Sequence, residues 1–220
     1  MLLEIKSKDK IIDNDYLHVI EEHLNNYTDV VKTKKYIKGA AYPVLKLECT
    51  PEYSNKRLDI TIKEMRHTGV NCVNLVKEYI IEYELILRPL VFILKQMVYM
   101  ADLNDPFTGG INSYGLILMV VAFLQNELRK SPITKEHISK NLGHFFLNFL
   151  NTYGNVIDYN QVEIRPSLIS EYRTDLGQFV QKQELNHSPN ITLVIQDPLF
   201  RGNNVTRSTF AFYIIRVAFS

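Results

Sequence analysis

The spacing of apolar residues changes near Gly69, and this change constrains the fold of the 220-residue chain more than any other feature. Before Gly69, apolar residues occur in short stretches, several of which alternate with polar residues, as is typical of β-strands. After it, they recur at helical spacing over longer segments. The sequence therefore predicts an α+β protein, in which a small mixed sheet is followed by a helical bundle.

The N-terminal part is predicted to contain four strands and one helix. The strands are residues 1–5, 30–37, 42–48 and 57–62, and glycine, proline or polar turns separate the later ones. The helix covers residues 15–24 and places Leu17, Ile20 and Leu24 on one face. This part therefore reads as a small α+β unit.

The C-terminal part is predicted to be mainly helical. Its predicted helices are residues 70–83, 89–100, 114–127, 134–151 and 205–219, with a short strand at 191–196 and irregular structure at 153–189. The third helix is apolar on nearly all sides, so we expect it to be buried. The longest apolar run, residues 115–124, is about half of a membrane span, and the N-terminus lacks the features of a signal peptide, so we expect a soluble protein.

Composition narrows the possible functions. The formal net charge of +1 gives no overall field for nucleic acid, so such a partner would need a local patch. Cys49 and Cys72 have no C-x-x-C partner, which favours a reducing intracellular setting. The six histidines lack metal-ligand spacing, and no P-loop is present.

Asp59 is an acidic residue inside an apolar strand. Strand alternation places Asp59 and Thr61 on one face, and Leu58, Ile60 and Ile62 on the other. The carboxylate would then either face a cleft, where a partner or a metal ion offsets the cost of burial, or lie on an exposed strand face. The residues by themselves leave both interpretations open.

Two residues on the predicted helices could contact an anion. Gly69 opens a helix, where the absence of a Cβ lets the backbone approach an anion, although most such glycines only make a turn. Lys95 is the cation of the apolar segment F-I-L-K-Q and could reach a phosphate. Its side chain could equally extend along its apolar stem to the surface.

A glycine-rich loop, T-G-G-I-N-S-Y at residues 108–114, leads into the buried helix. Ser113 can cap this helix. Tyr114 could offer a flat ring on which a base stacks, a contact worth roughly 1–3 kcal/mol per base. A tyrosine packed in the core is the alternative, since this residue type is often partly buried.

A second polar loop lies in the last thirty residues, where I-Q-D-P is followed by N-N-V-T-R-S-T-F. The paired donor and acceptor of Asn204 match an adenine edge. Arg207 offers a rigid fork of donors or a cation for the face of a ring. Alternatively, Asn204 or Thr206 caps the final helix.

The order of these motifs resembles that of the Trf-type poly(A) RNA polymerases, the DNA polymerase sigma family of the DNA polymerase β-like nucleotidyltransferases. The similarity covers about residues 15–219 and is most specific at 103–114 and 195–207. It implies a partial nucleotidyltransferase palm domain, residues 1–66. It also implies an α-helical PAP-associated central domain for nucleotide recognition, residues 67–220.

The resemblance also implies an activity. The family transfers AMP from ATP to an RNA 3′ hydroxyl without a template, and three carboxylates hold two Mg²⁺ or Mn²⁺ ions. By resemblance, Asp59 is the third catalytic carboxylate and a metal ligand. Gly69 would approach the nucleotide from the start of its helix, and Lys95 would bind the triphosphate.

Four further residues acquire a role through the same resemblance. Ser113 would hydrogen-bond to the nucleotide, and Tyr114 would stack on its base. Asn204 and Arg207 would belong to the loop that recognises the nucleotide. The uridylyl-transferring branch of the family usually has a histidine in this loop, and none lies between residues 190 and 220, so we expect ATP rather than UTP.

One part of the family pattern is missing. In the family, the first two of the three metal-binding carboxylates lie in a Gly-Ser…Asp-x-Asp segment. By the resemblance, this segment should fall just before Met1. Asp13 and Asp15 have this spacing but no preceding Gly-Ser, and they lead into a predicted helix, so we exclude them. One carboxylate cannot hold two Mg²⁺ ions, which require several oxygen ligands. We therefore expect either an incomplete sequence of an active enzyme or an inactive relative that binds nucleotide, RNA or a protein.

The resemblance also predicts partners and a location. The partners would be an RNA 3′ end and proteins of RNA surveillance, namely zinc-knuckle RNA-binding and helicase proteins. The location would be the nucleus, or otherwise the cell interior.

Overall fold

The computed structural model describes residues 2–3, 16–38, 43–62, 69–130, 140–169, 179–182 and 193–220. The chain divides into two compact units, Met1–Gly69 and Val70–Ser220, and each contains its own hydrophobic cluster. Asp13 and Asp15 lie outside the described residues, as do parts of several predicted segments, namely 1–5, 134–151, 153–189 and 191–196.

The N-terminal unit is a four-stranded mixed sheet with one helix. Its strands are β1 (Leu2–Leu3), β2 (Val31–Ile37), β3 (Val44–Cys49) and β4 (Arg57–Ile62). Their order is β1-β4-β3-β2; β1 is parallel to β4, and the other pairs are antiparallel. Helix α1 (Tyr16–His23) packs its Leu17 with Leu45, Leu47 and Ile60 of the sheet, because strand alternation turns these side chains to one face.

The second unit is mainly helical. Its elements are α2 (Gly69–Glu82, beginning at the boundary between the units), α3 (Leu87–Met100), α4 (Ser113–Lys130), α5 (Leu142–Asn151), β5 (Val162–Ile164), β6 (Phe179–Gln181) and α6 (Phe212–Phe219). A π-helical turn, Thr152–Val156, extends α5, and β5 and β6 form an antiparallel pair. The α+β fold class is therefore confirmed.

Helix α4 forms the buried centre of this unit. Residues 118–124 are all fully buried, as expected for a helix that is apolar on every side. Phe123 meets Phe149 edge to face at a centroid distance of 5.6 Å. The hydroxyl of Tyr153 donates a hydrogen bond of 2.7 Å to the carbonyl of Met119. No helix within the described residues is both long and apolar enough to cross a membrane.

The prediction that the final helix begins at residue 205 is wrong, because α6 begins at Phe212. The preceding residues form turns among themselves and also pair with distant segments of the chain. The hydroxyl of Thr206 donates to the carbonyl of Leu193 at 3.0 Å, and the amide of Ala211 donates to the carbonyl of Gly109 at 3.0 Å. The bond from Ala211 satisfies a backbone N–H that a longer helix would have satisfied internally, and the bond from Thr206 holds its side chain against Leu193.

Candidate nucleotide-binding site

An open cavity of about 320 Å³ lies between α3 and the start of α4. Lys95 of α3 and Ser113 of α4 both line it, so the structure brings together two residues that the sequence singled out. Both are exposed. The rest of the lining consists of Phe92, Gln96, Val98, Tyr99, Asn104, Ile111 and Leu116. A lysine side chain and a helix N-terminus at one cavity create a place that favours an anionic group.

Asn112, and not Ser113 as predicted, caps the start of α4. Its Oδ1 atom accepts a hydrogen bond of 2.6 Å from the backbone N–H of Gly115. This is the side-chain cap typical of asparagine, and it places Ser113 in the first helical turn, at the cavity. Asn112 was not predicted as the cap, although asparagine before a helix is as strong a capping signal as serine.

The glycines of the T-G-G motif allow a close approach between two segments. Gly109 has φ of +89°, and an added Cβ would lie 2.4 Å from the ring of Phe210. A Cβ on Gly110 would lie 2.3 Å from the carbonyl oxygen of Leu103. The hydroxyl of Thr209 donates to the carbonyl of Gly110 at 3.3 Å. The glycine loop therefore packs against Thr209 and Phe210, which precede α6.

The segment of residues 196–211, called the C-terminal loop below, is organised around the buried carboxylate of Asp197. This carboxylate accepts hydrogen bonds from the backbone N–H of Leu199 at 3.0 Å and from Nδ2 of Asn203 at 3.1 Å. The hydroxyl of Tyr114 donates to it at 3.3 Å. Asp197 is only 3% exposed, so these donors replace water around its charge. The I-Q-D-P motif was the available sequence signal for this residue.

Tyr114 lies beside the C-terminal loop with a half-buried ring that packs against the core. Burial raises the pKa of Tyr114 well above its ordinary value, and the neighbouring Cys72 and Asp197 act in the same direction. The phenol is therefore neutral at physiological pH and acts as a donor to Asp197. The stacking of Tyr114 on a base stays a prediction.

The carboxamide of Asn204 points into the C-terminal loop. Its oxygen accepts hydrogen bonds from the amides of Ile195 at 3.1 Å and Thr206 at 3.0 Å, and from the hydroxyl of Thr206 at 2.9 Å. Its nitrogen donates to the carbonyl of Leu193 at 3.4 Å. This geometry supports a role in shaping the loop, while direct contact with a nucleotide stays a prediction. Neither Asn204 nor Thr206 caps α6, which begins beyond them.

Arg207 is exposed on the same loop, and its backbone N–H donates to the carbonyl of Asn204 at 3.3 Å. A second cavity, of about 490 Å³, lies next to the loop, between Arg201 and Asp197 on one side and Arg165 on the other. Arg165 also pairs with Glu163, so the charges around this cavity are mixed. This cavity was not predicted from the sequence.

Asp59 lies on the exposed face of β4, directly opposite Lys46 of β3. Its carboxylate is a hard oxygen ligand of the kind that Mg²⁺ prefers, and it fits one position of an ion's ligand set. Among the residues that the structure describes, no three histidine, cysteine or acidic side chains cluster to hold a metal. Gly69 is the first residue of α2, as predicted.

Proteins similar to this chain are poly(A) RNA polymerases. Poly(A) RNA polymerase gld-4 of Caenorhabditis elegans is 33% identical over 184 residues, which are 82% of this chain and 21% of the relative. The inactive poly(A) RNA polymerase protein Trf4-2 of Drosophila melanogaster is 30% identical over 184 residues, 81% of this chain and 42% of the relative. The chain thus spans less than half of either relative. No protein-family model matches it.

Solved polymerase structures share the fold. The polymerase core of TRAMP, an RNA surveillance complex, superposes with a TM-score of 0.71 at 21% identity, over 97% of this chain and 64% of that chain. The Cid1 poly(U) polymerase with Mg and 3′-dATP superposes with a TM-score of 0.68 at 19% identity, over 99% of this chain and 71% of that chain. The fold is therefore that of a nucleotidyltransferase polymerase core.

Proposed function

We propose that this chain, a homologue of the Trf-type poly(A) RNA polymerases over most of its length, belongs to an enzyme that adds AMP from ATP to RNA 3′ ends. Homology to gld-4 supports the reaction. The observation that carries the proposal is the cavity that Lys95 and Ser113 line together at the start of α4. Transfer of a nucleotidyl group depends on positioning the triphosphate and compensating its charge, which such a cavity can do.

Different residues contact different parts of the nucleotide in this proposal. The ammonium group of Lys95 binds the triphosphate, and the hydroxyl of Ser113 hydrogen-bonds to the nucleotide beside the positive end of the α4 dipole. The half-buried ring of Tyr114 offers a stacking face to the base. The exposed Arg207 lies on the loop that recognises the base.

Divalent ions complete the proposal. Mg²⁺ or Mn²⁺ would help to activate the RNA 3′ hydroxyl and would neutralise the leaving pyrophosphate. Asp59 is the residue of this chain that we propose as a ligand, because the homologous family uses a carboxylate on the corresponding strand. Asp59 is exposed on β4.

The choice of base, the partners and the location are also proposals. The lack of a histidine in residues 191–220 supports ATP over UTP. The similarity to the polymerase core of TRAMP, an RNA surveillance complex, supports an RNA substrate in RNA surveillance. Zinc-knuckle and helicase proteins as partners, and a nuclear location, are proposed from the family resemblance alone.

An inactive binding protein is the second candidate, and one relative favours it. Trf4-2, which is 30% identical to this chain, is named as inactive. Such a protein could retain the cavity and the C-terminal loop, and bind nucleotide, RNA or a protein without extending RNA. The two functions differ in catalysis and not in nucleotide binding.

Nucleotide binding tests what both candidates share. Isothermal titration of ATP into the purified protein should show an affinity that Lys95→Ala lowers by about tenfold or more, because a charged hydrogen bond is lost. Lys77→Ala is the matched control, since Lys77 is an exposed lysine of α2 that does not line the cavity. Equal affinities for the two variants would contradict the role of Lys95.

A tailing assay separates the two candidates. The assay uses the full-length gene product, because two Mg²⁺ ions require more carboxylates than Asp59 alone supplies. With ATP and Mg²⁺ it should extend an RNA primer, extension with UTP should be weaker, and Asp59→Asn should abolish both. ATP binding without extension in the full-length product would instead establish the inactive candidate.

A further inference from the structure

Asn112 joins the start of α4 to the C-terminal loop through both ends of its carboxamide. Its oxygen accepts the cap bond from Gly115 at 2.6 Å, and its Nδ2 donates a hydrogen bond of 2.9 Å to the carbonyl of Val205. Asn112 is half-buried, and Val205 lies 93 residues away in sequence. One amide therefore holds two segments that the chain brings together only on folding.

Other contacts make this junction tight. A Cβ added to Gly115 would lie 3.0 Å from Cγ2 of Thr206, so the first turn of α4 packs directly on the loop. Thr206 is itself bonded to Asn204, which ties the loop to Ile195. Because the loop is braced internally, a shift at Val205 would move it as a body relative to α4.

We propose that Asn112 is a positioning residue for base selection. The amide sets the place of the C-terminal loop relative to Ser113 and Lys95, which line the cavity. In the proposed function, on which this inference rests, these two residues hold the parts that all nucleoside triphosphates share, and the loop recognises the base. Asn112 therefore governs the preference for ATP over UTP without touching either nucleotide.

Two substitutions separate this role from helix capping. Serine and aspartate both cap helices well, so Asn112→Ser and Asn112→Asp retain the bond to Gly115. Serine cannot reach Val205 with a second donor, and aspartate turns an acceptor toward its carbonyl. Asn112→Ser therefore loses only the bond to the carbonyl of Val205. In Asn112→Asp, that bond is replaced by repulsion between two acceptors.

The test measures ATP and UTP affinity by isothermal titration, together with the thermal midpoint of unfolding. We expect Asn112→Ser to lower ATP affinity about three- to tenfold, the effect of one lost hydrogen bond, and UTP affinity less. Asn112→Asp should have the larger effect, and both variants should melt close to the unmodified protein. Lys95→Ala should lower both affinities by the same factor, which provides the contrast.

Three outcomes decide the matter. A reduced ratio of ATP to UTP affinity in both Asn112 variants supports the inference. An unchanged ratio overturns it, including the case in which both affinities fall together with the melting temperature, as a purely structural role would require. If the unmodified protein binds neither nucleotide, the proposed function itself fails, and that result is distinguishable because it needs no variant.

Discussion

Helix α4 is tied to a loop by one amide side chain near each end, and the two ties differ in burial. Toward its C-terminal end, Gln125 is completely buried; it donates to the carbonyl of Ser167 at 2.8 Å and accepts from the amide of Ser167 at 2.9 Å. At the N-terminal end, Asn112 is half-buried and binds Gly115 and Val205. The chemistry is the same, but the second tie lies beside the cavity that Lys95 and Ser113 line, whereas Ser167 of the first tie lines the second cavity.

The difference in burial decides whether each tie mainly stabilises the fold or mainly positions the loop. Where water is excluded, a lost partner leaves a backbone group unpaired and the fold loses free energy. Where water can enter, it replaces the lost partner, and the loop moves without unfolding the protein. We therefore expect the buried tie at Gln125 to control stability and the half-buried tie at Asn112 to control the geometry of the site.

The largest effect should follow loss of the buried tie. Gln125→Leu leaves the amide of Ser167 without its partner, so we expect the free energy of unfolding to fall by about 2–4 kcal/mol. Gln161→Leu is the matched control, because Gln161 is exposed and its side chain donates to the exposed Asp158 in its own turn. Urea unfolding of both variants is the measurement. Similar losses in the two would refute the importance of burial.

Neighbouring asparagines of the C-terminal loop sharpen the comparison. Among the described residues, the side chain of Asn204 makes four hydrogen bonds, whereas the side chain of the exposed Asn203 donates one to Asp197. We expect Asn204→Ala to cost about 2 kcal/mol and Asn203→Ala about 1 kcal/mol. Urea unfolding and ATP titration should be measured on the same samples. If Asn204→Ala weakened ATP binding with no loss of stability, the residue would read the base directly.

Two tyrosines extend the comparison to alkaline pH. Burial raises the pKa of Tyr153 and that of Tyr114 above the ordinary value of 10.0. Because each folded pKa is raised, their contribution to stability is complete below pH 10 and is lost as pH rises beyond it. We expect the free energy of unfolding to fall by about 1.4 kcal/mol per pH unit for each such group. Urea unfolding between pH 9 and 11 should show a shallower slope in Tyr153→Phe, and an unchanged slope would contradict this account.

The smallest effect on stability is expected at an exposed polar residue of the other unit. Asp59→Asn changes a side chain on the exposed face of β4, so the free energy of unfolding should change by less than about 0.5 kcal/mol. Urea unfolding checks this value. A larger loss would mean that Asp59 is a structural residue, and the absence of tailing in the same variant could then not be assigned to catalysis.

Much of the fold was predictable because its signals are local. Helix α4 and the strands β2 to β4 follow directly from apolar periodicity, which burial imposes on neighbouring residues. The start of α6 was not predictable in this way. Residues 205–211 have helical spacing, but their polar groups bond to Leu193, Gly109 and Gly110, which are distant in sequence.

The same distinction between local signals and contacts distant in sequence applies to the candidate site. Lys95 and Ser113 could be named from the sequence, since each is a chemically distinct residue in an apolar or glycine-rich setting. Asn112 and Gln125 were missed, because nothing near them in the chain shows that their partners are Val205 and Ser167.

The sequence by itself determined the helices and strands, the order of the motifs, and hence the resemblance to the poly(A) RNA polymerases. Only the tertiary structure decided which polar side chains serve the site and which hold the fold. The spacing of apolar residues is enough to indicate secondary structure, because an apolar side chain can pack against any apolar neighbour. An amide requires a specific donor and acceptor at a specific distance, and its partner and its access to water exist only once the chain has folded.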